Sequence, residues 1–221
     1  MIKIEKTDIY GWDPAIRGMR NPLNSWDRSD SGYYTDESFV GIPYFKVGGN
    51  DLDLMKRLIK GGTEHRKFLR MINVTVDITA PLYWWKEFDT YKIGTVANSC
   101  STMHKIADKE FTLDDFSHEH LINNEPIPCR IFSAEQSLCV QIETLNMYRD
   151  LFLEHGDKKY WWQMIQLLPS SYNQKRTVQL NYEVLLTQYH QRKGHKLDEW
   201  QDYCKWIESL PYMKEFLEAT K

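Results

Sequence analysis

The sequence predicts an α+β fold, in which a small central sheet, antiparallel or mixed, is flanked by helices and the carboxy-terminal half is helical. The clearest strand covers residues 72–78, where apolar and polar side chains alternate with the period of a half-buried strand. From Ala134 onwards the sequence predicts mostly helices. Two or three strands followed by packed helices are typical of an α+β domain.

Length and composition place the chain among globular proteins with one core. Its 221 residues favour a single domain, residues 1–221, and no change of composition marks a linker. The hydrophobic fraction is 42% and the charged fraction is 27%, and no stretch approaches the roughly 18 apolar residues that span a bilayer. A net charge of -3 argues against binding to a nucleic acid polymer, which needs a cluster of uncompensated cations.

The cysteines and the amino terminus indicate a cytoplasmic protein that does not bind membranes. The first ten residues lack the apolar run of a signal peptide. Four cysteines lack the spacing of metal or redox motifs and are predicted to be reduced thiols: Cys100, Cys129, Cys139 and Cys204. A lone thiol such as Cys100 either attacks a pyrimidine or is inert, and the sequence leaves both interpretations open.

The chain opens on a predicted strand, because Ile2 and Ile4 alternate with charged residues. Residues 11–32 follow as a turn-rich segment with two tryptophans and three arginines. One interpretation is an ordered surface loop that its tryptophans hold in place. The other is a flap that brings Arg17 or Arg20 to a phosphate, which guanidinium groups bind in a bidentate manner.

A short amphipathic helix is predicted next. Apolar residues recur at helical spacing between Leu52 and Ile59, and the pair Gly61-Gly62 ends the helix. The segment after it places His65 close to three cations, which are Arg66, Lys67 and Arg70. A histidine in such a place is either structural or part of an anion site.

Residues 73–105 combine a strand, a helix and a polar loop. The strand ends at Pro81, which cannot donate to a sheet but fits the first turn of a helix, so a helix is predicted over residues 82–92. Gly94 ends that helix. Residues 95–104 are small and polar, and their hydroxyl and amide groups suit an anion or a heterocycle. The sequence therefore predicts a ligand cradle in this stretch.

The segment that follows is predicted to be irregular. Residues 111–130 contain Pro126 and Pro128, which exclude a long helix. His118 and His120 lack the spacing of a metal-binding pair on a helix, so no metal site is predicted.

Four helices are predicted in the last third of the chain. They cover residues 134–155, 158–167, 174–193 and 197–219, the last with a break at Pro211. On the third helix, Asn181, Gln188 and Arg192 lie near one another. This grouping describes either a solvated face or a binding surface.

Taken in order, these motifs resemble those of the flavin-dependent thymidylate synthases. Members of that family have a His-x-Thr-x-x-Glu-His segment, a strand ending in Ala-Pro, a helix with Gln-x-x-Arg-His-Arg, and a Ser-x-Asn-Glu-x-Ser-x-Arg-Tyr loop. Leu-Pro and then Asn-x-Arg-Ser-Leu leading to Leu-Arg follow. The matching positions here are His65, Ala80, Pro81, Glu87, Thr90, Tyr91, Lys92, Thr95, Asn98, Ser99, Ser101, Met103, His104, Leu168, Pro169, Asn181 and Arg192. The resemblance runs from about residue 65 to the end, and it rests on order and spacing more than on identity.

The resemblance implies a homotetramer that binds FAD and a uridylate-type nucleotide monophosphate such as dUMP. Methylenetetrahydrofolate would supply the carbon, the reduced flavin would supply the hydride, and NADPH or another reductant would reduce the flavin. The residues that it implies for the cofactor are His65, Tyr91, Lys92 and Asn181. The residues that it implies for the substrate are Glu87, Ser101, Thr102 and Arg192.

The sequence departs from the family pattern at three arginine positions, which carry Thr90, Met103 and Glu183. Either the cations that face phosphates have moved, to Lys67, Arg70, Arg17 or Arg20, or the ligand has changed. Two hypotheses follow. One is a divergent enzyme that transfers a one-carbon unit to a uridylate-type nucleotide, and the other is a homologue without catalytic activity that acts as a nucleotide-binding or protein-interaction module.

Overall fold

A computed structural model describes residues 1–35, 43–123 and 132–220. The fold is α+β, with a small antiparallel sheet flanked by helices, which confirms the predicted class. The strands among these residues are β1 (Lys3–Tyr10), β2 (Gly32–Tyr34), β3 (Tyr44–Lys46), β4 (Asn73–Pro81), β5 (Val96–Ser99) and β6 (Asn173–Asn181). The α-helices among them are α1 (Trp12–Arg20), α2 (Gly49–Lys60), α3 (Leu82–Phe88), α4 (Thr102–Lys105), α5 (Ala134–His155), α6 (Lys158–Leu167), α7 (Tyr182–Arg192), α8 (Asp198–Ser209) and α9 (Met213–Ala219).

Four strands form one sheet in the order β1-β4-β6-β5, and β2 and β3 form a separate antiparallel pair. Strands β4 and β6 are antiparallel, because the end of each lies beside the start of the other. The Leu82 N–H donates to the Tyr172 carbonyl at 3.0 Å, and the Tyr182 N–H donates to the Ile72 carbonyl at 3.0 Å. Each of these strands leads directly into a helix, β4 into α3 and β6 into α7.

Strand β4 is the strand that the alternating pattern predicts. Val74, Val76, Ile78 and Ala80 are all completely buried, whereas the residues between them are partly exposed. Pro81 is the last residue of the strand, and α3 begins at the next position, as expected for a proline that cannot continue a ladder. One face of β4 therefore belongs to the core.

The chain divides into two compact units. The unit named here the α5–α6 unit consists of Met1–Lys3, Ile78–Thr90 and Asn98–Thr177. The unit named the α7–α8 unit consists of Ile4–Asp77, Tyr91–Ala97 and Val178–Lys221. Strands β4 and β6 contribute residues to both.

Each unit has its own apolar core. In the α5–α6 unit, Phe116, Leu145 and Met164 belong to one buried cluster. In the α7–α8 unit, Tyr182 is completely buried and the Trp12 ring meets it edge to face, with the centroids 5.2 Å apart. Such aromatic pairs add about 0.5–1.5 kcal/mol beyond the apolar area that they bury.

The helix predicted over residues 174–193 is wrong in its first half, which is strand β6. Gln174, Val178 and Leu180 are buried at the even positions of this strand, and Arg176 lies on the same face. Because two of the four inward positions are polar, the apolar alternation that identifies a strand is interrupted. The remainder of the prediction, α7, is confirmed.

Three further expectations are corrected. Residues 11–32 contain α1, whose buried face is formed by Ala15, Ile16 and Met19 at helical spacing. Helix α3 ends at Phe88 instead of residue 92, since the Thr90 hydroxyl donates to the Glu87 carbonyl at 2.7 Å and closes a turn. The polar loop predicted over residues 95–104 contains a short strand, β5, and one turn of helix, α4.

The other predicted elements are confirmed, namely β1, α2, α5, α6 and the pair α8 and α9 around Pro211. Residues 111–123 are mostly irregular with one short 3-10 helix, Leu113–Asp115. Cys129, Pro126 and Pro128 lie outside the described residues. In the described part of the chain, no helix is both long and apolar enough to cross a membrane.

A buried ion pair joins the end of α1 to the first turn of α2. The Arg20 Nε donates to Asp51 Oδ1 at 2.6 Å, and the two side chains are 4% and 0% exposed. The other Asp51 oxygen accepts hydrogen bonds from the Ser29 and Ser31 hydroxyls at 2.7 and 2.6 Å. Burial would raise the pKa of Asp51, but the hydrogen bonds from Ser31, Ser29 and Arg20 together hold it below its usual value.

Replacing this aspartate is expected to be strongly destabilising. Asp51→Asn should lower the free energy of unfolding by about 3–5 kcal/mol, because it leaves the buried Arg20 guanidinium without a counter-charge. Thermal denaturation at neutral pH should then show a fall in Tm of roughly 6–20 °C for a chain of this size. Asp53→Asn is the matched control, since Asp53 lies on the same helix with its side chain 71% exposed, and it should change stability by less than about 1 kcal/mol.

The effect should depend on pH in a defined direction. Because the folded-state pKa of Asp51 is depressed, its contribution is fully present above the usual aspartate pKa and is lost as the pH falls through the folded-state value. The difference in Tm between the wild type and Asp51→Asn should therefore shrink in acid. A difference that is constant with pH, or equal stability of the two aspartate variants, would contradict the assignment.

Candidate functional site

Helix α7 is the element around which the predicted site residues of the α7–α8 unit lie. It begins directly after β6, and the Asn181 Oδ1 caps it by accepting the Val184 N–H at 3.1 Å. A cap of this kind stabilises a helix by about 1 kcal/mol. Asn181, which the resemblance assigns to the cofactor, therefore has a structural role through its oxygen, while its amide nitrogen lies close to Gly94.

Residues 91–95 lie against α7. Gly94 has a φ of 76°, and a Cβ at this position would lie 3.0 Å from Val184 Cγ2 and 3.1 Å from Asn181 Nδ2. Both the backbone conformation and the space thus favour glycine. At the other end of the segment, the Tyr91 hydroxyl donates to Gln191 Oε1 at 2.9 Å. Residues 91–95 therefore lie alongside α7, with Tyr91 at its last turn and Gly94 at its first.

The last residue of α7, Arg192, is held from two sides. Its Nε donates to the Tyr91 hydroxyl at 2.8 Å, and its guanidinium carbon lies 4.6 Å from the centre of the Trp200 ring. Trp200 is completely buried, so this ring is a fixed platform. A guanidinium stacked on an aromatic face gains about 0.5–2 kcal/mol and keeps one plane. The structure thus brings together two predicted residues, Tyr91 and Arg192, by direct contact.

The first turn of α7 carries Glu183, which stands where the family pattern has arginine. Glu183 forms an ion pair with Arg66 at 3.0 Å, and the two side chains are only 14% and 16% exposed. Its Oε2 atom is buried and has no hydrogen-bond partner in the described part of the chain. Arg66 follows His65 in the sequence, so this ion pair also brings the exposed His65 close to the beginning of α7.

Several cations lie on or near this helix. Burial lowers the pKa of His190, and the charges of Lys193 and Arg66 lower it further, so His190 is mostly neutral at pH 7. Lys92 is exposed in the segment of residues 91–95, which lies along α7. Cations here favour an anionic ligand, although Arg66 is paired with Glu183.

The other predicted substrate residues belong to the α5–α6 unit. The Ser101 Oγ caps α4 by accepting the His104 N–H at 3.1 Å, and Thr102 is the first residue of that helix. Both are partly exposed. Glu87 is partly exposed in the last turn of α3, where its carbonyl accepts the Thr90 hydroxyl. Ser101 and Thr102 are neighbours here, and Arg192 lies in the other unit.

Two polar residues that the sequence did not single out organise the start of β6. The Gln174 Nε2 donates to the Cys100 carbonyl at 2.9 Å, which holds the loop before Ser101. Arg176 pairs with Asp89 at 2.7 Å and stacks over the Trp85 ring at 4.2 Å. Gln174, Arg176 and Val178 lie at alternate positions on one face of β6. This spacing is the sequence signal that could have placed the two polar residues on a strand.

The cations proposed as replacements for the missing arginines are in different situations. Arg20 is buried and its guanidinium is bonded to Asp51, so it cannot reach a phosphate and the flap interpretation is wrong for this residue. Arg17 pairs with Asp13 at 3.1 Å on the exposed face of α1. Lys67 lies 3.8 Å from Glu64, and Arg70 is exposed.

His118, between α4 and α5, has a local partner. His118 Nδ1 lies 2.8 Å from the Phe116 carbonyl, and the Glu119 carboxylate pairs with the amino terminus of the chain. Within the described ranges, no group of three histidine, cysteine, aspartate or glutamate residues could hold a metal ion.

The fold is that of the flavin-dependent thymidylate synthases. One solved structure that shares it is the flavin dependent thymidylate synthase ThyX from Helicobacter pylori complexed with FAD and dUMP. It is 18% identical with a TM-score of 0.66, and the match covers 99% of this chain and 100% of that one. Another is the UMP/dUMP methylase PolB from Streptomyces cacaoi bound with 5-Br dUMP, at 14% identity and a TM-score of 0.62, covering 100% of this chain and 93% of that one. No protein-family model and no curated protein sequence matches the chain.

The described cysteines should differ in reactivity. Burial, and after it the Glu208 carboxylate, raise the pKa of the Cys204 thiol to about 11, whereas Cys100 and Cys139 are exposed. Iodoacetamide at pH 8 should therefore modify Cys100 and Cys139 in the folded protein and leave Cys204 unmodified. Peptide mapping by mass spectrometry measures this, with the denatured protein as the control in which Cys204 reacts. Labelling of Cys204 as fast as Cys139 in the folded protein would contradict the buried position.

Proposed function

We propose that the protein is an enzyme that transfers a one-carbon unit to a uridylate-type nucleotide, dUMP to dTMP or a close variant, with FAD as its cofactor. The observation that carries this proposal is Arg192, held by Tyr91 and Trp200 at the end of α7 in a fold shared with a synthase and a methylase crystallised with uridylates. Methylenetetrahydrofolate is the proposed carbon donor, and NADPH or another reductant is the proposed source of electrons.

Arg192 is the proposed ligand of the nucleotide phosphate. The Tyr91 hydroxyl and the Trp200 ring fix the plane of its guanidinium. A guanidinium with a fixed plane loses little side-chain entropy when it binds a phosphate, and charge-assisted bonds of this kind contribute about 1.5–3 kcal/mol each. Ser101, Thr102 and Glu87 are the other proposed substrate ligands, because hydroxyl donors suit a phosphate and a carboxylate suits ring or ribose donors.

The donor set around α7 fits a flavin nucleotide. His65 and Lys92 are exposed and offer nitrogen donors for a pyrophosphate. The Asn181 oxygen caps α7, so its amide nitrogen is the group left to donate to the cofactor. Tyr91 precedes Lys92 and offers an aromatic ring. The flavin would supply hydride chemistry, and these residues would hold and orient it.

The proposed enzyme is a homotetramer, as the resemblance implies. On α5, Val140 and Met147 are seven residues apart on one face, and they are 44% and 49% exposed. Burial of these side chains between subunits would remove apolar surface from water. Light scattering distinguishes a tetramer from a monomer.

The alternative, a nucleotide-binding or protein-interaction module without turnover, is favoured by two positions. Both positions carry arginine in the family pattern. The Thr90 hydroxyl donates to the Glu87 carbonyl, and Met103 is an exposed apolar residue. Under either hypothesis the protein would bind a nucleotide through Arg192. FAD binding and catalytic turnover therefore distinguish the enzyme from the binding module.

Purified protein is expected to be yellow, or to remain yellow after incubation with FAD and removal of the unbound flavin, with the absorption spectrum of a bound flavin. His65→Ala together with Lys92→Ala should weaken FAD binding by at least about tenfold, because two donors to the phosphates are lost. Lys60→Ala, which removes an exposed cation elsewhere in the same unit, should have little effect. A wild-type protein that is colourless after incubation with excess FAD and removal of the unbound FAD by gel filtration would falsify the enzyme hypothesis.

Uridylate binding tests the site separately. Arg192→Gln should raise the Kd for dUMP by at least about tenfold, as expected for the loss of a charge-assisted contact. Lys193→Gln is the matched control, since it removes the neighbouring exposed charge. Tyr91→Phe should have an intermediate effect, because it keeps the ring and removes only the hydroxyl that orients Arg192. Equal affinities of Arg192→Gln and Lys193→Gln in calorimetry would argue against the assignment.

A further inference from the structure

A cavity lies in the α7–α8 unit, and none of the residues proposed above for FAD or uridylate lines it. It has a volume of about 1050 Å³ and lies between the segment that follows α1 and one face of α2. Its lining includes Leu23, Arg28, Leu54, Lys56 and Arg57. Ligand pockets usually have volumes of about 300–1000 Å³, so the cavity is large enough for a small organic molecule.

The wall that carries Arg28 is held rigidly. Beneath it, Asp51 accepts hydrogen bonds from the Ser29 and Ser31 hydroxyls, and Arg20 Nη2 donates to the Arg28 carbonyl at 3.1 Å. The Arg28 backbone is thus tied to a buried ion pair, while its side chain is exposed. Binding a ligand here would not require the loop to become ordered.

The charge of the lining is positive. Three cations, Arg28, Lys56 and Arg57, face two carboxylates, Asp27 and Asp53, and the buried Arg20–Asp51 pair adds no net charge. Lys56 is bonded to Asp53 at 2.7 Å. In the part of the chain that the structure describes, neither Arg28 nor Arg57 forms an ion pair. The lining therefore carries a net charge of +1, and two arginines from different elements face one concave surface.

We propose that this cavity binds a small polyphosphorylated molecule, with its phosphates on Arg28 and Arg57 and its organic part against Leu23 and Leu54. Two guanidinium groups on separate elements suit two adjacent phosphates better than one, because each guanidinium binds a phosphate in a bidentate manner. The cavity is much larger than a bare phosphate chain, and of its two leucines Leu23 is 57% exposed and offers an apolar contact surface. The site is independent of the proposed function, since none of the residues assigned to FAD or uridylate lines it.

Calorimetry with the full chain tests the proposal, with tripolyphosphate and ATP as the probes. Both should bind, ATP more tightly, and raising the salt concentration should weaken both. Arg28→Gln and Arg57→Gln should each raise the Kd by at least about tenfold. Lys60→Gln is the matched control: it removes one exposed cation from α2 outside the cavity, and it should change the Kd by less than about twofold. An unchanged Tm in each variant verifies that the fold is intact.

Three results would overturn the proposal. They are an absence of binding by both probes, equal effects of the arginine variants and Lys60→Gln, and loss of tripolyphosphate binding in Arg192→Gln, which would place the anion at the other site. ATP binding more weakly than tripolyphosphate would overturn the role given to Leu23 and Leu54. Affinity for dUMP should be unchanged in Arg28→Gln, so failure here and failure of the proposed function are distinguishable.

Discussion

The direct transition from β6 to α7 is the constraint on which the candidate site depends. Asn181 is both the last residue of the strand and the cap of the helix, so the sheet fixes where the helix begins. Because a helix is rigid, fixing its start also fixes Arg192 at its end, about 16 Å away at 1.5 Å per residue. The segment of residues 91–95 then lies along the helix, close to it at Gly94 and bonded to it at Tyr91.

Three arginine–carboxylate ion pairs lie in or at the edge of the core. Arg20 with Asp51, Arg66 with Glu183 and Arg176 with Asp89 each join elements that are distant in sequence. The Arg66–Glu183 pair accounts for one departure from the family pattern, since a glutamate at position 183 is compensated by a cation next to His65. The first two pairs are buried or mostly buried, so they contribute little net stability over apolar residues, yet removal of one partner is costly and they fix the position of the elements that they join. Asp89 is 54% exposed, so the third pair is the weakest of the three.

The sequence was sufficient for the fold class and for most elements, but not for the contacts that make the site. Strand β4 has an uninterrupted apolar alternation, and α5 begins with a capping box at Ser133, so local patterns define both. Strand β6 was missed because Gln174 and Arg176 occupy inward positions that a pattern search expects to be apolar. The Tyr91–Arg192 bond joins residues 101 positions apart, and no local pattern encodes such a pair. The resemblance named both residues but gave them different roles, cofactor for Tyr91 and substrate for Arg192.

The contact between these two residues explains why a tyrosine stands at a position where the family pattern has histidine. A protonated histidine 2.8 Å from a guanidinium would add a second positive charge, and like charges at this distance repel each other by several kcal/mol at the effective dielectric constant of a protein surface. The Tyr91 hydroxyl instead accepts the Arg192 N–H and donates onward to Gln191. The substitution therefore keeps an aromatic ring in place while Arg192 stays charged, which is the property that a phosphate ligand requires. The Tyr91 hydroxyl is hydrogen-bonded to Arg192 and Gln191 of α7. In the proposed FAD complex, residues 91–95 would therefore contact the flavin through the Tyr91 ring and Lys92.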